Sequence, residues 1–243
     1  NPAAHWTPRT VIFAGKAASA YQAAKLVIRL IHNVARVVNS DPRVGDRLRV
    51  VFLPNYGVSL AEKIIPAADL SEQLSTAGTE ASGTGNMKFA LNGALTIGTW
   101  DGANIEMAQA IGEENMFVFG LRAADVSKMK ELGYDPKLYL EQDHALKRVV
   151  DAISGGEFSP GDPRRYHLLV DSLTNRDTYM LMADFRSYVE TQRRVDALFD
   201  DPAAWTEMAL RNVAGMGSFS ADRTVREYVN QIWSLPADGA AAS

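Results

Sequence analysis

The chain lacks cysteine throughout its 243 residues, which excludes both disulfide bonds and thiolate metal ligands. It also lacks any apolar run close to the ~18 residues needed to cross a bilayer, and residues 1–9 have no apolar centre of a secretory signal. We therefore expect a cytoplasmic location, with a reducing interior. The first residue is asparagine and not methionine, which indicates a fragment or a processed chain.

A strong excess of charge of one sign is missing as well. The formal net charge is -4, and acidic and basic residues are interspersed along the chain. This balance gives no support for a nucleic-acid partner or for binding to a membrane surface. We expect neither.

Clusters of metal ligands are also missing. The segment 101–104 (DGAN) with Glu106 has too few ligands for a calcium loop, so we interpret it as a turn between a strand and a helix, with Asn104 near the start of the helix. We expect no metal site. The histidines are scattered without ligand spacing, at His5, His32, His144 and His167.

Short apolar runs alternate with helical stripes over the first 120 residues. Helices are predicted after the first two runs, each with a possible capping box (Ser19 with Gln22, and Ser59 with Glu62), and over residues 104–111. The apolar runs predict strands at residues 10–14, 48–53, 70–74, 94–99 and 116–119. We expect the first of these to be a buried parallel strand.

This alternation with short connections predicts an α/β fold with a doubly wound parallel sheet. Beyond residue 120 only helical periodicity remains, so a helical C-terminal layer is expected. We treat residues 1–235 as a single domain, with a sheet part over about 9–120 and a helical part over about 121–235, and expect a disordered tail at 236–243. The helices of the second part are predicted at residues 124–132, 146–153, 166–173, 184–199, 205–213 and 222–233.

The segment 80–93 combines a carboxylate, small residues and one lysine in a short stretch before a predicted helix. Gly83 and Gly85 permit positive φ and close backbone approach, and Thr84 adds a hydroxyl donor. Lys88 follows Thr84 by about one helical turn, so its amine can reach back over the loop. The pattern favours an anion site, but it is neither a dinucleotide fingerprint nor a P-loop. A plain glycine-rich turn with a solvated lysine is the alternative.

Two other side chains near this loop are ambiguous on residue type alone. Glu80 could cap a helix, bind a cation or accept hydrogen bonds from a polyol, although a lone glutamate is usually a surface residue. Tyr56 follows a predicted strand end, where ligand-facing side chains collect in α/β folds, but an aromatic side chain there more often serves packing.

The segment EASGTGNMKF (residues 80–89) resembles the glycogen/α-glucan phosphorylases in its order of residues. The match continues on both sides, with PAADLSEQ at 66–73, LNGALTIG at 91–98 and DGAN at 101–104. The resemblance covers residues 8–235 and also includes FAGKAA at 13–18, GDRLRV at 45–50, Tyr56 with VSLAE at 58–62, and FSADR at 219–223.

The resemblance implies a Rossmann-like domain of the type found in the C-terminal half of GT-B glycosyltransferases. It also implies phosphorolysis of a terminal α-1,4-glucosidic bond of glycogen or another α-glucan by orthophosphate, which yields glucose 1-phosphate. In that family the lysine matching Lys88 carries pyridoxal phosphate as a Schiff base, and the phosphate group of the cofactor relays the proton. Carried over by position, Thr84 and Gly85 hold the cofactor phosphate and Tyr56 lies against the cofactor. The glucosyl hydroxyls are bound by Glu80, Ala81, Ser82 and Gly83.

Two parts of the family pattern are not in this chain. They are an N-terminal domain that completes the cofactor and sugar pocket, and a basic Lys-Arg-x-x-x-x-Lys segment just before the first strand. Because the transfer needs positioned cations, we expect the chain by itself to be inactive, and some apolar surface to be left exposed. The resemblance implies a homodimer for the full-length enzyme. Two rival hypotheses are a nucleotide-sugar glycosyltransferase-like domain and a non-catalytic binding domain.

Overall fold

The structure is a computed structural model that describes residues 5–234. Its strands are β1 (Arg9–Ala14), β2 (Leu48–Leu53), β3 (Leu70–Gln73), β4 (Leu95–Thr99) and β5 (Phe117–Phe119). Its helices are α1 (Gln22–Ser40), α2 (Val58–Ile64), α3 (Gly85–Leu91), α4 (Asn104–Ile111), α5 (Ala123–Leu132), α6 (Pro136–Gln142), α7 (His144–Ser154), α8 (His167–Asn175), α9 (Leu181–Phe199), α10 (Pro202–Gly215) and α11 (Ala221–Glu227). Short 3₁₀ segments lie at Ile65–Ala67, Glu113–Asn115 and Met216–Phe219, and a π-helical turn covers Tyr228–Ile232.

The strands form two parallel sheets. β1 pairs with β2, and the second sheet has the order β3-β4-β5. The predicted α/β fold with parallel pairing is confirmed, but the single sheet that we expected is divided in the described part of the chain. The edges of β1 and β3 line a shared cavity of about 700 Å³ and do not hydrogen-bond to each other.

The core of the molecule lies at the three-stranded sheet. Every residue of β4 is buried, and Leu95 and Ile97 are fully so. They pack with Phe117 and Phe119 against α9 and α10, where Val195 and Trp205 contribute to the same cluster. This sheet therefore provides a rigid base for the loops that follow its strands.

The two-stranded sheet is much less covered. Only Arg9 and Val11 of β1 are partly buried, and the side chain of Ile12 is 50% exposed. Helix α1, which packs on β2, contains no buried residue. The prediction of a parallel strand at residues 10–14 is confirmed, but the prediction that it is buried is wrong, because within residues 5–234 β1 packs mainly on β2 and helices cover little of its faces.

Helix α9 connects the two sheets through polar side chains. From β1, Arg9 donates to Gln192 Oε1 at 2.5 Å and pairs with Asp196 at 2.6 Å. From β3, Glu72 accepts from Gln192 Nε2 at 2.8 Å and from the Tyr188 hydroxyl at 2.9 Å. The two strands are thus linked through side chains of one helix.

Only helices and turns follow β5 as far as residue 234, as predicted. Helix α6 was missed, although Asp135 caps it by accepting from Lys137 N at 2.9 Å and Pro136 occupies its first turn. Both predicted capping boxes are wrong, because α1 and α2 begin after Tyr21 and Gly57 with no side-chain cap. No helix between residues 5 and 234 is long and apolar enough to cross a bilayer. The predicted tail at 236–243 lies outside the described residues.

Candidate functional site

The loop over residues 74–84 leads from the carboxyl end of β3 into α3. Gly83 has a φ of +79°, a left-handed conformation that favours glycine. Gly85 is the first residue of α3 and does not have positive φ, so only Gly83 uses the conformational freedom that both glycines permit. On its inner side α3 packs Ala90 against Met107 and Met216, which fixes the orientation of the helix.

Lys88 lies on the outer side of α3, with an exposed side chain. Its Nζ donates to Thr84 Oγ1 at 3.4 Å, which agrees with the predicted spacing of one helical turn. No carboxylate between residues 5 and 234 forms an ion pair with it. The amine therefore stands beside the start of the helix without a competing acid partner.

The start of α3 also leaves backbone N–H groups without an acceptor. Gly85 and Asn86 begin the helix, where no preceding turn supplies carbonyl acceptors, and no group in residues 5–234 accepts a hydrogen bond from either N–H. Asn86 is only 2% exposed, so the donors within reach of a ligand are the Gly85 N–H, the Thr84 hydroxyl and the Lys88 amine, all within one turn of the start of α3. Such a set suits an anionic group that bears a phosphate, with an amine available for a carbonyl group.

Asp101, just after β4, holds the preceding part of this loop. It is only 4% exposed, and its two carboxylate oxygens accept from Gly78 N at 2.8 Å and from Glu80 N at 3.0 Å. Burial by itself raises the pKa of Asp101, but hydrogen bonds from the Ser75 hydroxyl and from backbone N–H groups outweigh it and lower the pKa. The carboxylate is thus ionised and bound to the loop.

The turn that follows Asp101 makes further contacts with the loop. Ala103 N donates to Ser82 O at 2.7 Å, and Asn86 Nδ2 donates to Asn104 Oδ1 at 2.9 Å. Gly102, with a φ of +52°, has no space for a side chain, since a Cβ there would lie 2.6 Å from Ser82 O. The sequence predicted a turn here, with Asn104 near the start of a helix, and α4 does begin at Asn104. The contacts between this turn and the loop were not predicted.

The residues predicted to bind sugar lie on the exposed side of this loop. The Glu80 side chain forms neither a hydrogen bond nor an ion pair within residues 5–234, while its backbone is fixed by Asp101. Ala81 and Ser82 are exposed, and the Ser82 hydroxyl donates to Gly83 O at 2.9 Å. The side-chain carboxylate of Glu80 is therefore free to accept hydrogen bonds from a ligand.

Tyr56 is the predicted site residue that lies farthest along the chain from the loop. It follows β2 and lines the cavity between the two sheets, which Phe89 of α3 also lines. Thus the structure brings Glu80, Thr84 and Lys88 together on one loop and helix, while Tyr56 shares a cavity with the neighbour of Lys88. Within residues 5–234, no three His, Asp or Glu side chains are grouped so as to hold a metal ion.

Comparison with known proteins defines the class. Residues 1–235 match the family described as Phosphorylase, carbohydrate phosphorylase, and the chain belongs to that family. It is 54% identical over 235 residues to the muscle form of glycogen phosphorylase from Ovis aries, and 55% identical over 235 residues to glycogen phosphorylase from Haemophilus influenzae. It is also 54% identical over 239 residues to the brain form of glycogen phosphorylase from Homo sapiens.

The match is nearly complete for this chain but partial for its relatives. It covers 97% of the chain and 28% of the Ovis aries protein, 97% and 29% for the Haemophilus influenzae protein, and 98% and 28% for the human brain form. The chain therefore spans under a third of the length of these relatives.

Proposed function

We propose that this chain is the C-terminal, cofactor-binding part of a glycogen/α-glucan phosphorylase. The whole enzyme would release glucose 1-phosphate from α-1,4-glucan ends, with orthophosphate and pyridoxal phosphate. The observation that supports this most directly is the position of Lys88, one turn after Thr84 at the open start of α3, in a chain of the phosphorylase family. A cytoplasmic location and a homodimeric whole enzyme belong to the same proposal.

The donors around α3 fit the cofactor. Lys88 would bind it covalently, Thr84 and the Gly85 N–H would hold its phosphate, and Tyr56 would pack against it. When bound, this group supplies the acid–base proton transfer through its phosphate. Lys88 would thus anchor the cofactor.

The glucosyl unit would bind beside the cofactor, at residues 80–83. The Glu80 carboxylate accepts hydrogen bonds, while the backbone N–H groups of Ala81, Ser82 and Gly83 donate them. The segment can therefore both accept from and donate to sugar hydroxyls. Because a hydroxyl both donates and accepts, such a mixed set is well suited to a polyol.

The chain by itself would be inactive. Orthophosphate and glucose 1-phosphate are anions that need positioned cations, and within residues 74–93 Lys88 is the one basic residue. If Lys88 carries the cofactor, its amine is no longer available for a second anion. The remaining cations would come from the N-terminal part of the same enzyme.

The open edges of β1 and β3 support a further contribution from outside this chain. Arg9 N bonds to Arg47 O of the β2 side, so by alternation Thr10, Ile12 and Ala14 direct their N–H and C=O groups away from β2. On β3, Asp69 O accepts a hydrogen bond from Leu95 N of β4. The N–H and C=O groups of Leu70 and Glu72 therefore point away from β4. We infer that a strand from the rest of the enzyme occupies the cavity between them and completes a Rossmann-like sheet of the GT-B type.

Labelling of Lys88 tests the proposal. The full-length enzyme is reconstituted with pyridoxal phosphate and reduced with borohydride, and we expect mass spectrometry to find the cofactor on Lys88. Lys88→Ala should abolish the label, whereas Lys63→Ala, a change of another lysine on α2, should leave it intact. Labelling at another lysine, or none in the full-length enzyme, would contradict the proposal.

Activity separates the whole enzyme from the chain. With glycogen and orthophosphate, we expect the full-length enzyme to release glucose 1-phosphate and the 243-residue chain to release none. If the full-length enzyme also releases none while it binds glycogen, a non-catalytic binding protein is the better account. If it instead transfers glucose from a nucleotide sugar and carries no label on Lys88, a nucleotide-sugar transferase is favoured.

A further inference from the structure

Asp101 contacts the loop of the candidate site through both of its carboxylate oxygens. We propose that Asp101 is a positioning residue for the sugar: it acts through the backbone of Glu80 to hold residues 80–83 in the conformation that receives a glucosyl unit. This inference rests on the proposed function, and it gives a role to the segment 101–104 that the sequence suggested was only a turn.

The first argument concerns the groups that donate hydrogen bonds to the Asp101 carboxylate. An aspartate just before a helix commonly caps that helix, but the cap position of α4 is Ala103 and no side chain caps it. Asp101 instead accepts from Gly78 and Glu80, which lie more than 20 residues earlier in the chain. The group therefore serves the loop rather than its own helix.

The second argument is the absence of a charge partner. No basic side chain within residues 5–234 forms an ion pair with Asp101, although it is almost fully buried. A buried carboxylate without a cation is costly unless hydrogen bonds stabilise it, and here the Ser75 hydroxyl and loop N–H groups supply them. The loop conformation and the buried charge thus depend on each other.

The third argument is the contrast between the backbone N–H of Glu80 and its side-chain carboxylate. Its N–H is bound to Asp101, whereas its carboxylate is exposed and makes no hydrogen bond to residues 5–234. Beyond it, Ser82 O is held by Ala103 N at 2.7 Å, so the intervening backbone is fixed on both sides. A fixed backbone with a free side-chain acceptor is an arrangement that favours ligand binding with little loss of conformational freedom.

A double-mutant cycle tests this role. D-glucose binding to the full-length, cofactor-loaded enzyme is measured by calorimetry for the wild type, Asp101→Asn, Glu80→Gln and the double variant. Loss of one well-placed hydrogen bond corresponds to about a tenfold loss of affinity, and we expect a loss of this order for each single variant. Because Asp101 acts in part through the Glu80 carboxylate, the double variant should lose clearly less affinity than the sum of the two single losses. Fully additive losses would overturn the proposal.

Two controls separate positioning from general destabilisation. Asp143→Asn alters another buried carboxylate that accepts two backbone N–H groups, at 2.9 and 3.1 Å, but at the start of α7. It should lower the melting temperature without changing glucose affinity. Hydrogen exchange should be faster at Gly78 and Glu80 in Asp101→Asn, with exchange in β4 unchanged. Unchanged exchange in the loop would contradict the proposal.

A further variant and the cofactor label complete the design. If Asp101→Asn does not fold, Asp101→Glu keeps the charge but moves the oxygens by one methylene, and it should also weaken glucose binding. Undiminished binding in that variant would overturn the proposal. If the wild type carries the cofactor on Lys88 but glucose binds equally well to all variants, the positioning role fails and the proposed function stands. If the wild type carries no cofactor and binds no glucose, the proposed function fails, and this inference with it.

Discussion

Arg9 and Glu72 lie on strands of different sheets, and both bind the side chain of Gln192. The Arg9 guanidinium donates to Gln192 Oε1 at 2.5 Å, and Gln192 Nε2 donates to Glu72 Oε1 at 2.8 Å. An amide is well suited to this position because it can accept on one side and donate on the other. Two sheets that share no strand pairing are therefore linked through one residue of α9.

Replacing this amide should weaken the link. Gln192→Leu removes the hydrogen bonds to both sheets and leaves Arg9 and Glu72 with fewer partners, so we expect a loss of about 1–2 kcal/mol in the free energy of unfolding. Denaturant unfolding of the chain would measure it. Gln142→Leu, at an exposed position of α6, is the matched control and should change the free energy of unfolding by less than about 0.5 kcal/mol. Equal effects of the two variants would contradict the linking role.

The open edges predict an alternating pattern of amide exchange in the isolated chain. In β1, the amides of Thr10 and Ile12 should exchange faster than those of Val11 and Phe13, whose N–H groups face β2. In the full-length enzyme, the fast amides should become protected. Residue-resolved hydrogen exchange measures both. Uniform protection of β1 in the isolated chain would mean that its outer edge is already covered.

Gly102 should be intolerant of a side chain. Gly102→Ala places a Cβ 2.6 Å from Ser82 O and requires a left-handed φ of +52°, so we expect a cost of about 1–3 kcal/mol. Gly217→Ala is the matched control, because no atom lies within 4 Å of a Cβ there and its φ is not positive. Thermal and denaturant unfolding would measure both. If both glycines tolerate alanine equally, the loop is not fixed by this contact.

The ionisation of Asp101 should make the free energy of unfolding depend on pH in the acid range. Its pKa in the folded chain is lowered from 3.8, so its contribution is fully present above pH 3.8 and is lost as the pH falls through the folded-state pKa. Asp101→Asn should therefore be less stable than the wild type at pH 7, with a difference that shrinks in acid below pH 3.8. Unfolding free energies of both proteins across this range would test the sign. A difference that is independent of pH would contradict it.

The contribution of Asp184 to stability should change with pH in the opposite direction to that of Asp101. Burial raises its pKa and the charge of Asp177 raises it further, although a hydrogen bond from Leu121 N to Oδ1 at 2.8 Å opposes the shift. The ionised form is therefore disfavoured in the folded chain, and Asp184 reduces stability as the pH rises through its folded-state pKa. Asp184→Asn keeps an acceptor for Leu121 N, so we expect a higher melting temperature at pH 7 and a smaller gain in acid. A lower melting temperature at pH 7 would contradict this prediction.

The elements that the sequence predicted well are those with a clear local pattern. The strand at residues 48–53 and the helix at 104–111 were found with the predicted bounds. Helix α6 was missed because its apolar residues, Leu138 to Leu140, are consecutive and not spaced by a helical turn, although the pair Asp135–Pro136 is a typical helix start. Local pattern can thus identify an element only where the apolar residues follow its period.

The remaining differences between prediction and structure concern which elements lie next to each other. Local sequence does not encode this. The apolar run at 10–14 shows that these residues favour a strand, but it carries no information about which strands lie beside it. The same holds for the site. The loop and Lys88 stand out by composition, whereas Asp101 is linked to Glu80 across 21 positions by a contact that only folding creates.

The two unpaired edges have a practical consequence for handling the chain. Exposed strand edges with free N–H and C=O groups readily pair with those of other molecules, and β1 carries the exposed side chains Ile12 and Phe13. Produced alone at high concentration, the chain should therefore aggregate by edge-to-edge pairing. Co-production with the preceding part of a phosphorylase chain should yield soluble protein, because the edges would then be occupied as they form.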